Sequence, residues 1–393
     1  IGDRRQRQMC IRDSNNTDSI LKGMPVLIKD MNDVKDMRTT YGSKLYADNI
    51  PKKSDIVVET IEKNGGLIIG KTNIPEFAAG SHTYNSVFGL TKNPWNTSLS
   101  AGGSSGGAAA SLATGMSWFA SGSDLGGSLR NPASWCGVVG LRPTSGLIPH
   151  GPSNFPFFNL SVDGPMARNI EDLSIFLDAM VGHNKNDPLS SKGARNSYYK
   201  NLLKREEAKY LIGFTDDFGI FPCDKEVRSM MHNTLKLVQN LGHEISNTYP
   251  DMSKSEYCFQ TLRAYMFYCT YKSLLKKDKS LIKEEVIWNI NKAKAITIDD
   301  LLEAEKARAG IYNDTMKFFN KFDFLIVPSS IVPPFNSQNK WVKKVEDTTF
   351  DNYVSWLMIA ASISLTNCPS IALATSFSKD NAPFGIQIVA PPH

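Results

Sequence analysis

The residues with reactive potential are a lysine at the end of an apolar run and serines set in two glycine-rich loops. Lys29 follows Pro25-Val26-Leu27-Ile28, and Ser104 and Ser105 sit within Gly102-Gly103-Ser104-Ser105-Gly106-Gly107. The second loop reads Gly122-Ser123-Asp124-Leu125-Gly126-Gly127-Ser128-Leu129-Arg130. Acylating a serine with an amide takes a nucleophile, a base and donors for the developing oxyanion. Ser128 fits the first role, because the glycines before it let backbone N–H groups approach a substrate oxygen without Cβ interference. The amides of Leu125, Gly126, Gly127 and Ser128 then form the candidate oxyanion hole. A free lysine, with a pKa of about 10.4, is protonated at neutral pH. Burial at the end of an apolar strand depresses that value and frees a neutral amine, which makes Lys29 the candidate base. Ser104 bridges the two by relaying a proton. Asp30 adjoins Lys29, but strand alternation turns it to the opposite face. Taken singly, each residue has a plainer reading: a strand-end lysine reaching solvent, a helix N-cap and a glycine turn with an incidental serine. No histidine lies near either loop.

Two other motifs compete. Gly65-x-x-x-x-Gly70-Lys71-Thr72 satisfies the phosphate-loop pattern. A helical period precedes Gly65, however, and apolar Leu67-Ile68-Ile69 occupies the place of the polar cradle, so nucleotide binding is rejected. Gly102-x-Ser104-x-Gly106 fits the nucleophile elbow of α/β-hydrolases. That elbow ends a strand, whereas Asn93-Pro94-Trp95-Asn96-Thr97 is turn-like, and it leaves the Ser128 loop unexplained. His150, His183, His232 and His243 keep this alternative open.

The elements that must position these residues follow from periodicity. Strands are expected at Pro25–Ile28, Leu67–Gly70 and Val138–Leu141, the last ended by Arg142-Pro143. Ser54 is a candidate cap for a helix that places Ile56, Val57, Thr60 and Ile61 on one face and stops at Gly65-Gly66. Pro75 opens another helix, and Ala108–Ala113 forms one whose N-terminus receives the first serine loop. Asn169 caps a helix with Ile170, Leu173, Leu177 and Met180 on a shared face. From about 183 to 345 glycine thins out and helical stripes dominate, one of them Val227, Met230, Leu235, Val238 and Leu241, another Leu301, Ala304, Ala307 and Ile311. Strand patterns return at Leu325–Val327, Ile371–Leu373 and Ile386–Val389, which suggests one sheet carrying a helical insertion.

Whole-chain properties narrow the function classes. The 393 residues, 41% hydrophobic and 21% charged, can bury a large core and argue against disorder. Cys10, Cys136, Cys223, Cys258, Cys269 and Cys368 are scattered without metal or disulfide spacing, which suits buried thiols in a reducing, cytoplasmic compartment. Residues 1–14 show no apolar period, and Met9–Ser14 reads like a translated library adapter. Without its four Arg and two Asp the formal charge falls from +5 to +3, too little to imply a nucleic-acid partner. The lysines from Lys272 to Lys294 lack interleaved stacking aromatics and read as a solvated helix face. No run reaches the ~20 apolar residues that span a bilayer. The first 14 residues and the end just after Gly385–Val389 suggest a chain lacking both natural termini. A homo-oligomer is compatible with the sequence.

The two serine loops, followed by Gly140-Leu141-Arg142-Pro143-Thr144, resemble the amidase signature family. Pro25–Asp30, Gly70-Lys71-Thr72-Asn73, Glu76-Phe77-Ala78 and Phe88-Gly89 match it as well, densely over 23–167 and thinly over 324–391. The resemblance implies one α/β/α domain spanning 15–393, with a mixed, twisted central sheet flanked by helices. It implies an amidase that cleaves a small-molecule amide through an acyl-enzyme, with no metal or cofactor. Ser128 matches the family's nucleophile, Ser104 the bridging serine that follows a cis peptide, and Lys29 the base. Asp124 and Arg130 match positions that shape the nucleophile loop, with Gly103 and Ser105 supporting the bridge. Two other readings remain: the glutamine-hydrolysing component of an aminoacyl-tRNA amidotransferase, and a non-catalytic scaffold. Asp351–Ser370 looks more like a stand-alone amidase than that component, and intact Lys29, Ser104 and Ser128 argue against a scaffold. Phe155, Phe157, Phe158, Tyr257, Phe259, Tyr265, Tyr268 and Tyr271 are candidates for an acyl pocket or for plain core.

Overall fold

The computed structural model describes residues 19–193, 196–204 and 207–392, so the adapter-like segment 1–14 lies outside the described residues. The strands that build the central sheet are β1 (Pro25–Lys29), β2 (Leu67–Thr72), β3 (Phe119–Asp124), β4 (Val139–Arg142), β5 (Val162–Ala167), β6 (Leu211–Phe214), β7 (Glu244–Ser246), β8 (Phe324–Pro328), β9 (Ser370–Phe377) and β10 (Pro383–Val389). They lie in the order β2-β1-β3-β5-β4-β9-β10-β8-β6-β7. Parallel pairs at both edges flank an antiparallel centre running from β3 to β8, so the sheet is mixed.

Alternation along β1 decides where the lysine goes. Val26 and Ile28 pack into one cluster with helices α1 (Ile56–Lys63) and α4 (Ile170–Met180), while Leu27 packs with α2 (Gly106–Ala113) and α3 (Arg130–Cys136). Lys29 shares Leu27's side of the sheet, and the loop entering α2 carries Ser104 and Ser105. Asp30 turns the other way and accepts from Thr40 N at 3.2 Å, with Lys71 Nζ 3.5 Å away. Lys71, inside the apparent phosphate loop, sits on strand β2 and donates to Thr39 Oγ1.

The sequence expectations need local corrections. Asp55, not Ser54, stands at the N-cap of α1; Ser54 Oγ instead accepts from Lys35 N at 2.9 Å. Behind Pro75 only one 3-10 turn forms, Glu76–Ala78, because Phe77 and Ala78 adopt left-handed φ of 49° and 55°. Asn169 does cap α4, accepting from Asp172 N at 2.7 Å. The 183–345 segment holds α5 (Lys225–Asn240), α6 (Ser255–Tyr271), α7 (Glu284–Lys292) and α8 (Ile298–Phe319), and it also contributes β6, β7 and β8 to the sheet. Leu241 falls beyond the last turn of α5 and is 75% exposed, whereas Val227, Met230 and Leu235 are buried as expected. The remaining helix used below is α9 (Met358–Leu365). Among the described residues no helix is long and apolar enough to cross a membrane.

Candidate active site

Lys29 is fully buried, and its ammonium nitrogen meets four neutral oxygens. Within hydrogen-bond reach of its three N–H donors lie Ser104 Oγ at 2.7 Å, Ser105 Oγ at 2.9 Å, Ser123 Oγ at 2.9 Å and Ser123 O at 3.2 Å. Among the described residues no carboxylate comes within ion-pair distance of it. Burial lowers its pKa to about 7, against the pull of Asp163 and Asp124, which favour the proton. Desolvation dominates because hydroxyls and a carbonyl solvate an ammonium far less well than water does. The serine loop is held from behind: Ser81 Oγ donates to Gly103 O at 2.7 Å, and the Gly103–Ser104 peptide is cis.

The second loop is anchored by a buried ionic knot. Asp124 ends β3, and its carboxylate accepts from Arg130 Nη2 at 2.9 Å, Arg130 Nε at 3.0 Å and Leu129 N at 3.0 Å. Arg142 Nη1 donates to the Asp124 carbonyl oxygen at 2.5 Å. Burial alone pushes the Asp124 carboxyl up, but the Arg130 and Arg142 guanidiniums overcome it and hold it below the usual carboxylate range. Arg130 also donates to Ala360 O and Ser364 Oγ of α9 and to Gln387 Oε1 of β10, which ties the loop to distant chain. Gly127 adopts φ +111°, and a Cβ there meets Ala360 Cβ at 2.8 Å, so the turn requires glycine. One expected oxyanion donor is corrected by this knot. Gly127 N donates to Asp124 Oδ1 at 2.9 Å and is committed to the scaffold. Among the described residues the amides of Leu125, Gly126 and Ser128 have no protein acceptor.

Both loops meet at one cavity of about 350 Å³, lined by Ser104, Ser123, Leu125 and Ser128. Ser105 N donates to Ser128 O at 3.2 Å and couples the loops directly. Phe155, Phe158 and Tyr271 line the same space, as do Phe77, Met266 and Phe267. The other candidate aromatics fall elsewhere: Phe157 and Tyr257 are exposed, Phe259 is core beneath Gly126, Tyr265 packs on Phe158, and Tyr268 packs against the cluster that holds Phe267 and Val286. Asn32, Asp33, Asp55, His150 and Asp163 line the cavity as well; of these the sequence points only to His150, as a histidine that keeps the nucleophile elbow open. Their positions in sequence carry no common spacing. Ser123 lies in the second serine loop, but its role as a partner of Lys29 carried no signal of its own in the sequence. His150 Nδ1 lies 2.7 Å from Asp163 Oδ2. Among the described residues no histidine ring bonds Ser104 or Ser128, which removes support from the nucleophile elbow. Nor is any cluster of His, Cys, Asp and Glu among them arranged to hold a metal ion.

A family model described as Amidase matches residues 4–393. An acylamidase of Rhodococcus erythropolis is 33% identical over 373 residues, covering 94% of this chain and 78% of that protein. The A-type component of the glutamyl-tRNA(Gln) amidotransferase from Thermoanaerobacter pseudethanolicus is 32% identical over 409 residues, covering 95% and 80%. Among solved structures, a bacterial aryl acylamidase of the amidase signature family superposes with a TM-score of 0.89 at 22% identity, covering 98% of this chain and 83% of that one. A 6-aminohexanoate cyclic dimer hydrolase in complex with substrate gives 0.86 at 23% identity, covering 98% and 84%. The last two likenesses speak to the fold.

Proposed function

The chain belongs to the amidase signature family and is a hydrolase of carbon–nitrogen bonds, and on that premise we propose that Lys29, Ser104 and Ser128 carry the reaction as base, bridge and nucleophile. The observation that supports this most directly is Lys29 Nζ at 2.7 Å from Ser104 Oγ, buried and, among the described residues, without a carboxylate partner. Neutral Lys29 accepts the Ser104 proton as Ser104 takes that of Ser128, and Ser128 Oγ attacks the amide carbonyl carbon. The amides of Leu125, Gly126 and Ser128 stabilise the oxyanion. The relay then returns the proton to the leaving nitrogen, the C–N bond breaks, and an acyl ester remains on Ser128. Water loses a proton through the same relay and attacks the ester. Its C–O bond breaks, Ser128 recovers its proton, and the carboxylic acid leaves.

The substrate is a small-molecule amide with an apolar acyl portion facing Phe155, Phe158 and Tyr271. Cys136, Cys223, Cys258, Cys269 and Cys368 are free thiols, which supports a reducing, cytoplasmic compartment. The near-equal identity of the amidotransferase relatives supports a second reading, in which a partner protein receives ammonia. Copurification tests it, and the amidase reading expects this chain to turn over amides without a partner.

The deciding experiment is intact-mass and peptide mapping after fluorophosphonate treatment of the parent chain, Ser128→Ala and Lys29→Ala. One adduct on Ser128, absent from Ser128→Ala and strongly slowed in Lys29→Ala, is expected. An adduct on Ser104 overturns the assignment. Because the protonated lysine is the inactive form, kcat/KM rises with pH through about 7 as Lys29 loses its proton.

A further inference from the structure

Two carboxylates raise the proton affinity of Lys29, and the fold treats them differently. Asp124 is neutralised by Arg130 at 2.9 Å and Arg142 at 3.4 Å. Asp163 is 1% exposed, and among the described residues no lysine or arginine pairs with it. Its ion-pair partner is His150, 2.7 Å from Nδ1 to Oδ2, on a side chain that remains 45% exposed at the cavity wall. Asp163 stands directly across from Ser123 in the β3–β5 register, and Ser123 supplies two of the four acceptors of Lys29. The carboxylate therefore sits one cross-strand pair from the amine.

We propose that His150 and Asp163 act as a positioning pair that fixes the pH range of catalysis: the imidazolium screens a carboxylate that otherwise holds a proton on Lys29. This rests on the reading of Lys29 as the base. Neither residue touches the reacting atoms in this scheme; both act through the lysine. Other groups face the pair. His150 N donates to Asp187 Oδ2 at 2.9 Å, and Asn32 Nδ2 donates to Asp163 Oδ1 at 3.4 Å and to Asp55 Oδ2 at 3.3 Å. Asp33 N in turn donates to Asp55 Oδ2, and Tyr41 OH to Asp33 Oδ1. Burial pulls the His150 imidazole down, but Asp163, with Asp55 and Asp187, lifts it to about 9, so it stays cationic over the range in which Lys29 titrates. Asp55 is pushed up to about 7 by burial and then by Asp163 and Asp33, so it titrates in the same window and must be controlled.

The test is the pH profile of kcat/KM for the whole chain on one turned-over amide. Asp163→Asn is expected to move the acid-limb midpoint down, and His150→Gln to move it up, each by roughly half to one pH unit. In the Asp163→Asn background, His150→Gln should add no further shift. A merely structural role lowers kcat/KM at every pH and leaves the midpoints where they were, which overturns the proposal. His150→Gln alters a half-exposed side chain and keeps the test alive where Asp163→Asn fails to fold. Disappearance of the His150→Gln shift in an Asp55→Asn background assigns the effect to Asp55 and also overturns it. Full activity in Lys29→Ala refutes both this proposal and the base assignment. An inactive Lys29→Ala with unmoved midpoints refutes this proposal alone.

Discussion

Lys29 and Arg130 are both fully buried basic side chains flanking one loop, yet the fold surrounds them with different partners. Among the described residues Lys29 meets only hydroxyls and a carbonyl, so desolvation wins and its pKa drops to about 7. Arg130, whose guanidinium carries its charge by nature, meets the Asp124 carboxylate through two nitrogens. A buried lysine without a counter-charge is neutralised by desolvation, whereas a guanidinium keeps its charge and so requires a carboxylate beside it. Adjacent residues of one strand, Ser123 and Asp124, serve the two sites. The neutral nest yields a base with a freely exchangeable proton, while the ionic knot yields a rigid frame for the loop's free amides.

The sharpest way to break this contrast is to place an arginine in the neutral nest. Lys29→Arg keeps a cation but removes the option of deprotonation, since guanidinium is protonated at any accessible pH. It is expected to lose about 10⁴-fold in kcat/KM, the upper end of what a positioned proton-transfer group supplies. Assays up to high pH should show no recovery; partial recovery would mean that another group serves as base. Neutralising the knot comes next. Asp124→Asn leaves two buried guanidiniums without their counter-charge and should cost about 3–5 kcal/mol of stability in chemical denaturation. A parent-like midpoint would show the knot to be incidental. The Asp124 carboxyl titrates below its ordinary 3.8, so its contribution is present above that value and fades as pH falls beneath it. The smallest change is within the nest. Ser123→Ala removes an acceptor that favours the ammonium, at 2.9 Å from Lys29 Nζ. One such hydrogen bond is worth about 0.5–1.5 kcal/mol, so the acid limb should move to lower pH by about one unit or less. An upward shift in the measured profile would contradict the neutral-nest description.

Much of this was legible in the chain. Pro25–Ile28 predicts the strand that carries Lys29, Asn169 predicts its helix start, and the alternation that separates Lys29 from Asp30 is realised at β1. Leu67-Ile68-Ile69, read as an apolar strand where a phosphate loop needs a polar cradle, does form a strand. Pro75 misled because a proline signals only that a helix is allowed to begin; here Phe77 packs among Tyr41, Tyr46 and Tyr271 with φ 49°, and a single turn results. Inside 183–345 the strand expected at Leu325–Val327 forms, whereas Leu211–Phe214 and Glu244–Ser246 were obscured by their shortness, with too few residues for a period to show.

What the sequence by itself determined is the local chemistry: which loops carry serine, which glycines permit tight turns, and which lysine ends a buried strand, because these depend on neighbours along the chain. Only the tertiary structure decided that Gly127 N belongs to Asp124, that Ser123 joins the lysine nest, and that Asp163 and His150 stand beside it. Those outcomes are set by sheet register and by side chains converging from β1, β3, β5 and the loop at His150. Hydrogen bonds and Coulomb interactions act over a few ångströms of space, and separation along a sequence does not encode that distance.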